Sequence, residues 1–192
     1  MGKQIHLTKV LRLFEKSPVV DFKSIVRIVG KGSYAKLLVS NLLKKNVLKK
    51  IGKGVYTIHE ESSLSVFAYT PAYLGLQSAL SYHGLWEQET IPIVLTTRKV
   101  RRGLRTVLGS NIMVRNIDQK YFFGFDYVLD GKFYVPYSDI EKTAIDLVVF
   151  QVKMDAALCK VIRKKMDKDK LNEYLKRYSS KLQELVKKKL SL

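Results

Sequence analysis

The sequence predicts an α+β protein: a winged helix-turn-helix over 1–60, an α/β domain over 65–150, and basic C-terminal helices over 151–192 packed on that domain. Three observations predict it. Apolar residues in the first segment follow the order helix, short strand, helix, turn, helix, hairpin. From about residue 65, an apolar helical run gives way to strand-like segments that end in another helix. The tail carries Lys-rich amphipathic spacing and no strand signal.

In the first segment, Ile5, Val10, Leu11, Leu13 and Phe14 repeat at near-helical spacing over 3–15. Ser17-Pro18 ends that helix, because proline cannot continue it and turns its predecessor away from αR. Val19-Val20 makes a short apolar link. Asp21 is read as the N-cap of a helix over 22–29, with Phe22, Ile25, Val26 and Val29 inward. After the turn Gly30-Lys31-Gly32, Ser33 is read as the cap of a helix over 34–45, with Ala35, Leu38 and Leu42 inward, Leu37 a further candidate for that face, and Asn46 at its C-terminal end. Two β-rich runs around Gly52-Lys53-Gly54 then form a hairpin, the wing.

In the second segment, 71–85 reads as an apolar helix with Pro71 in its first turn and Gly84 just past its end. Strands are expected over 92–97, 104–107, 111–117, 121–129 and 132–136. Asp130-Gly131 signals a hairpin between the last two. A helix is expected over 139–150. The tail, 153–190, is read as two helices broken near 166–169.

Charge is the outstanding compositional feature. The 192 residues carry a formal net charge of +18. It is segregated: residues 1–60 hold 13 basic and 3 acidic side chains, 61–150 hold 9 and 9, and 151–192 hold 13 and 5. Two basic ends around a neutral middle imply a polyanionic partner, nucleic acid first. The single cysteine, Cys159, has no partner for an internal disulfide, so a reducing compartment is expected. Met1-Gly2-Lys3-Gln4-Ile5-His6 has no apolar run that would make a leader, and a myristoylation reading of Gly2 is set aside. No apolar stretch reaches the roughly 20 residues of a membrane span. A soluble cytoplasmic protein that does not engage membranes is expected.

The second helix of a helix-turn-helix enters the major groove led by its N-terminal residues. Ser33, Tyr34, Lys36 and Ser40 are therefore the expected base-reading edge. Lys31, Lys44 and Lys45 at the helix ends, and Lys49, Lys50 and Lys53 on the wing, are expected on phosphates. Arg98, Lys99, Arg101, Arg102 and Arg105 form the only basic cluster of the neutral middle and are a candidate second surface for nucleic acid or an acidic partner.

Several segments resemble the AbiEi family. They are Tyr73-Leu74-Gly75-Leu76-Gln77-Ser78-Ala79-Leu80-Ser81-Tyr82-His83-Gly84-Leu85, then Ile93-Val94-Leu95-Thr96-Thr97, Phe123-Gly124-Phe125, and Ser138-Asp139-Ile140-Glu141-Lys142-Thr143-Ala144-Ile145-Asp146. The family's SAL-x-x-HGL, strand-Thr and E-[RK]-T-x-x-D blocks occur in order, and with the N-terminal segment the resemblance covers roughly 5–150. Its members are antitoxins of type IV toxin–antitoxin systems that also regulate their own operons. The resemblance implies a winged helix on inverted repeats at the protein's own promoter, and paired half-sites would suit a homodimer on DNA. It also implies a second part that counters a nucleotidyltransferase-like toxin without a stable complex.

Other chemistry is weakly signalled. His83 near a helix end reads as structural. His6 and His59 lie far apart, and no Cys/His spacing suggests zinc. Glu141 and Asp146 sit five apart on one helix and so face apart. A nuclease reading of them with Lys142, Asp126 and Asp130 gives way to local capping and turn roles, with Glu141 and Lys142 solubilising the helix start. No enzyme activity, cofactor or metal is expected. The alternative function is a one-component regulator sensing a small molecule around Tyr73, Tyr82 and Trp86. In the tail, Leu171, Leu175, Leu182, Leu185 and Val186 have the spacing of a dimer seam.

Overall fold

A computed structural model describes residues 2–88 and 90–192. The chain is a mixed α+β fold with helices and a mixed sheet. Among the described residues, no helix is long and apolar enough to cross a membrane.

The first residues form α1 (Gly2–Leu11) and α2 (Leu13–Lys16), divided at Arg12 where one helix over 3–15 was expected. Ser17 is extended and ends α2. Strand β1 (Val20–Asp21) leads into α3 (Phe22–Val29), whose N-cap Asp21 accepts a hydrogen bond from the Ser24 amide at 2.7 Å. That bond, with Lys23 and Arg27 nearby, holds the Asp21 carboxyl below its ordinary range. The depressed folded-state value means that this stability is present above the unfolded pKa near 4 and is lost as pH falls through the folded value. Asp21→Ala is expected to cost about 1 kcal/mol at pH 7, with the gap to wild type closing in acid. Urea titrations at pH 7 and in acid check it, and a constant gap would refute the capping account.

Helix α4 spans Gly32–Lys44, earlier than expected. Its N-cap is Lys31, whose carbonyl accepts from the Ala35 amide (2.9 Å), so Ser33 lies inside the first turn and does not cap it. At the other end, Lys45 is the cap and Asn46 takes the left-handed conformation beyond it (φ 54°). The Asn46 and Val47 amides return to the Leu43 and Leu42 carbonyls, closing the helix end. Strands β2 (Lys49–Gly52) and β3 (Val55–Thr57) complete a three-stranded antiparallel sheet in the order β1-β3-β2. Val10, Phe14, Ile25, Val29, Ala35, Val39, Leu42 and Leu48 share its core.

A 3-10 helix over Ser62–Tyr69, which periodicity did not signal, links this unit to the larger sheet. It packs on β2 so closely that a Cβ on Gly52 would sit 2.6 Å from the Ala68 Cβ. The larger sheet contains β4 (Ala72–Leu74), β5 (Ile93–Thr96), β6 (Gly103–Val107), β7 (Ser110–Asn116), β8 (Phe125–Asp130) and β9 (Phe133–Ser138). Its order is β6-β7-β5-β4-β9-β8, with β4–β9 and β5–β7 parallel and the remaining pairs antiparallel.

The helix expected over 71–85 is therefore half strand. After a cis Thr70–Pro71 bond the chain enters β4, and only α5 (Gln77–Tyr82) is helical. Residues 72–74 are all buried at the centre of the sheet, and a strand covered on both faces has no polar alternation to distinguish it from a helix. Gly84 does take the left-handed position past the end of α5 (φ 62°). The strand expected over 121–129 starts only at Phe125, after a 3-10 turn at Gln119–Tyr121 capped by Asp118.

Alternation along the strands separates two cores. Tyr73, Ile93 and Leu95 face α6 (Ile140–Val149), α7 (Ala156–Lys165), α8 (Lys168–Leu175) and α9 (Ser180–Leu190), whereas Leu74, Val94, Ile112 and Val114 face the 3-10 helix. The tail thus has three helices, not two, because buried Tyr178 stacks on Tyr121 (4.3 Å between rings) and turns the chain between α8 and α9. The expected dimer seam is also corrected. Leu171, Leu175 and Val186 are at most 1% exposed in this molecule's own core, and of the set only Leu185 is exposed.

Candidate functional site

Helix α4 presents two chemically different faces. Ala35, Val39 and Leu42 repeat at helical spacing and are buried. Ser33, Lys36, Leu37, Ser40, Asn41 and Lys44 repeat at the same spacing on the opposite side, and all are exposed. Lys31 and Lys45 are exposed at the two ends. Of the expected reading edge, Ser33, Lys36 and Ser40 therefore share one outward stripe. Tyr34 does not join it. Its half-buried ring packs toward α1 and lies edge-on to His6, 5.6 Å between centroids.

The stripe also contains Asn41, which charge-based reading passed over, and Leu37, which the expected inward face had included. Leu37 is a large apolar side chain left 56% exposed. Extending the 35/39/42 burial pattern would have placed both residues opposite the core. Lys23 and Arg27 on α3 were likewise missed. They are exposed, and the inward set Phe22, Ile25, Val26 and Val29 implies that placement.

On the hairpin, Lys50 and Lys53 are exposed, whereas Lys49 is half-buried and ion-paired with Glu60. That pairing reduces what Lys49 offers to an outside anion. Among the described residues, Lys31, Lys36, Lys44, Lys45, Lys50 and Lys53 have no carboxylate within ion-pair distance.

The second basic cluster occupies the β5–β6 connection and the start of β6. Its members divide by role. The Arg98 guanidinium donates to the Ala68 carbonyl (3.0 Å) and the Arg105 guanidinium to the Arg101 carbonyl (2.7 Å), while Asn116 donates to the Val100 carbonyl (3.1 Å). These bonds fix the loop. Lys99, Arg101 and Arg102 are exposed upon it.

The Glu141–Asp146 segment is buried, contrary to the expected solubilising role. Glu141 accepts from the Asp167 amide at 2.7 Å and Lys170 approaches its other oxygen at 3.5 Å. Lys142 and Asp146 are both 0% exposed and form an ion pair inside the core, and the Tyr73 hydroxyl donates to the other Asp146 oxygen at 2.7 Å. Burial pushes the Lys142 ammonium down and the Asp146 carboxyl up, while each ion opposes the other's shift. Asp139 caps α6 and accepts from the Tyr174 hydroxyl (2.8 Å), whose pKa burial and that bond push up to about 12. Gly124 has a positive φ of 69° and lies against this network, where a Cβ would sit 2.8 Å from the Lys142 Cβ. These carboxylates hold the helices onto the sheet and do not converge on an open cleft. Among the described residues, no group of three or more His, Cys, Asp or Glu side chains is placed to hold a metal ion.

The remaining candidates have partners within the fold. The His83 Nε2 meets the Ser138 carbonyl at 2.8 Å. Tyr73 is buried beneath α6, Tyr82 stacks on Tyr137 (4.5 Å), and Trp86 packs on the helical core that contains Tyr73.

No family model matches the chain, and no curated protein matches it. Among solved structures it is similar to the RV2827C protein from Mycobacterium tuberculosis, with a TM-score of 0.64 at 12% identity over 97% of this chain and 76% of that one. At that identity the likeness is one of fold.

Proposed function

We propose that the protein binds duplex DNA through a winged helix-turn-helix made by residues 2–58, as a regulator of its own promoter. The exposed stripe Ser33, Lys36, Leu37, Ser40, Asn41 and Lys44 carries this reading. It has short polar groups suited to base edges, lysines suited to phosphates, and an apolar side chain suited to a thymine methyl. The order of helices and strands around α4 and the flanking Lys50 and Lys53 support it. The antitoxin role rests on the AbiEi resemblance, with a nucleotidyltransferase-like toxin as the counterpart, opposed without a stable complex.

A nuclease footprint of the full-length protein on the DNA upstream of its own reading frame tests the proposal. Two protected half-sites, about one helical turn or a multiple of it apart, are expected. No protection at about 50 mM salt, where phosphate contacts are strongest, would refute it. Co-expression with a neighbouring nucleotidyltransferase-like gene tests the antitoxin part, and growth arrest unrelieved by the protein would reject that part alone.

A further inference from the structure

We propose that Lys99, Arg101 and Arg102 on the β5–β6 loop hold phosphates of the same duplex that α4 and the wing engage, making one interface from two parts of the chain. This inference rests on the DNA-binding reading above and extends its footprint. Three observations carry it.

The first is adjacency. β2 is an edge strand of the small sheet and β6 an edge strand of the large one, and the two are in contact. A cleft of about 560 Å³ between them is lined by Lys49, Lys50, Glu60, Leu108 and Ser110, so wing lysines and the β6–β7 hairpin share its walls. The second is the fixed relation of the two parts. Gly52 of the wing lies against Ala68, and the Ala68 carbonyl receives the Arg98 guanidinium. One residue of the 3-10 helix thus ties the wing to the root of the basic loop.

The third is the state of the charges. Arg98 and Arg105 are used on backbone carbonyls, which orders the loop before any partner arrives. Lys99, Arg101 and Arg102 are exposed, and among the described residues no carboxylate lies within ion-pair distance of them. The nearby acid in the cleft, Glu60, is taken by Lys49. An ordered loop with free cations beside the wing suits a rigid polyanion that continues past it. An acidic protein partner fits less well, because Leu104 is the only exposed large hydrophobic of the 98–105 segment, and protein interfaces centre on desolvated apolar anchors.

The test uses the full chain and a mixed-sequence duplex of about 40 base pairs, with affinity measured from about 50 to about 200 mM salt. Lys99→Ala/Arg101→Ala/Arg102→Ala is compared with wild type and with the wing variant Lys50→Ala/Lys53→Ala. Removing one cation from a phosphate lowers the slope of log affinity against log salt by about 0.9. The loop variant is expected to fall by about 2–3 in slope, to bind more weakly, and to shorten the protected DNA at one end, with an unchanged melting temperature. A loop variant that keeps the wild-type slope and footprint overturns the inference, while the wing variant still reports on the DNA-binding reading. Selective failure of the loop variant to bind an acidic protein, with duplex binding intact, overturns it too. A wild-type chain that retains no duplex overturns both the inference and the DNA-binding reading.

Discussion

Asp146→Ala is expected to lose about 3–5 kcal/mol of folding stability, the penalty for leaving one member of a buried ion pair without the other. The residue makes no visible contribution to any surface. Its two oxygens take the Lys142 ammonium and the Tyr73 hydroxyl, and all three side chains are 0% exposed. Truncation leaves a lysine in the core with the Tyr73 and Phe123 ring faces, 5.7 and 5.3 Å away, as its remaining cationic contacts. Burial already lowers the Lys142 pKa, and loss of Asp146 lowers it further. The unfolded chain then binds one more proton than the folded one between that value and about 10.4. Stability of the variant should therefore rise with pH toward about 10, recovering part of the loss as the lysine folds uncharged. Lys142→Met/Asp146→Leu, which removes both charges, is expected to be near neutral. Guanidinium titrations of the three proteins decide the matter, and a loss below about 1 kcal/mol in the single variant would show that the pair is dispensable.

Reversing Lys36, Lys44 and Lys53 to Glu is the other large effect expected. All three are exposed and unpaired among the described residues, so their loss should not disturb the core. If they lie on phosphates, reversal removes three attractions and adds three repulsions. Affinity for duplex DNA should fall by about two to three orders of magnitude near 100 mM salt. Lys49 is not in the set, because Glu60 already holds it. Equilibrium binding by fluorescence anisotropy, with melting temperature as the control, gives the answer. A stable triple variant that binds like wild type would remove α4 and the β2–β3 hairpin from the proposed interface.

Local chemistry makes much of the N-terminal unit legible. Asp21 before an apolar helical repeat, Ser17-Pro18 after one, and Gly52-Lys53-Gly54 between β-rich runs each act over a few residues, and each feature forms where the pattern places it. Departures there are small. Serine suits the cap role expected of Ser33, but the helix opens at Gly32 on the Lys31 carbonyl. Larger departures fall where burial is complete. β4 reads as a helix because both its faces are covered, and the break between α8 and α9 depends on Tyr178 finding Tyr121 from a distant part of the chain.

By itself the sequence determined the mixed α+β character, the basic ends, the Asp21 cap, the hairpins at Gly52-Lys53-Gly54 and Asp130-Gly131, and which lysines lie on the α4 face away from its core, because periodicity and charge are local properties. Tertiary structure alone decided three things. It put Glu141, Lys142 and Asp146 inside the protein as a bracing network, turned Tyr34 toward His6 and away from the exposed stripe, and set β6 of the basic loop against the β2–β3 hairpin. The physical reason is common to all three. A charged or aromatic side chain takes its role from what packs against it, and those neighbours lie on elements distant in sequence.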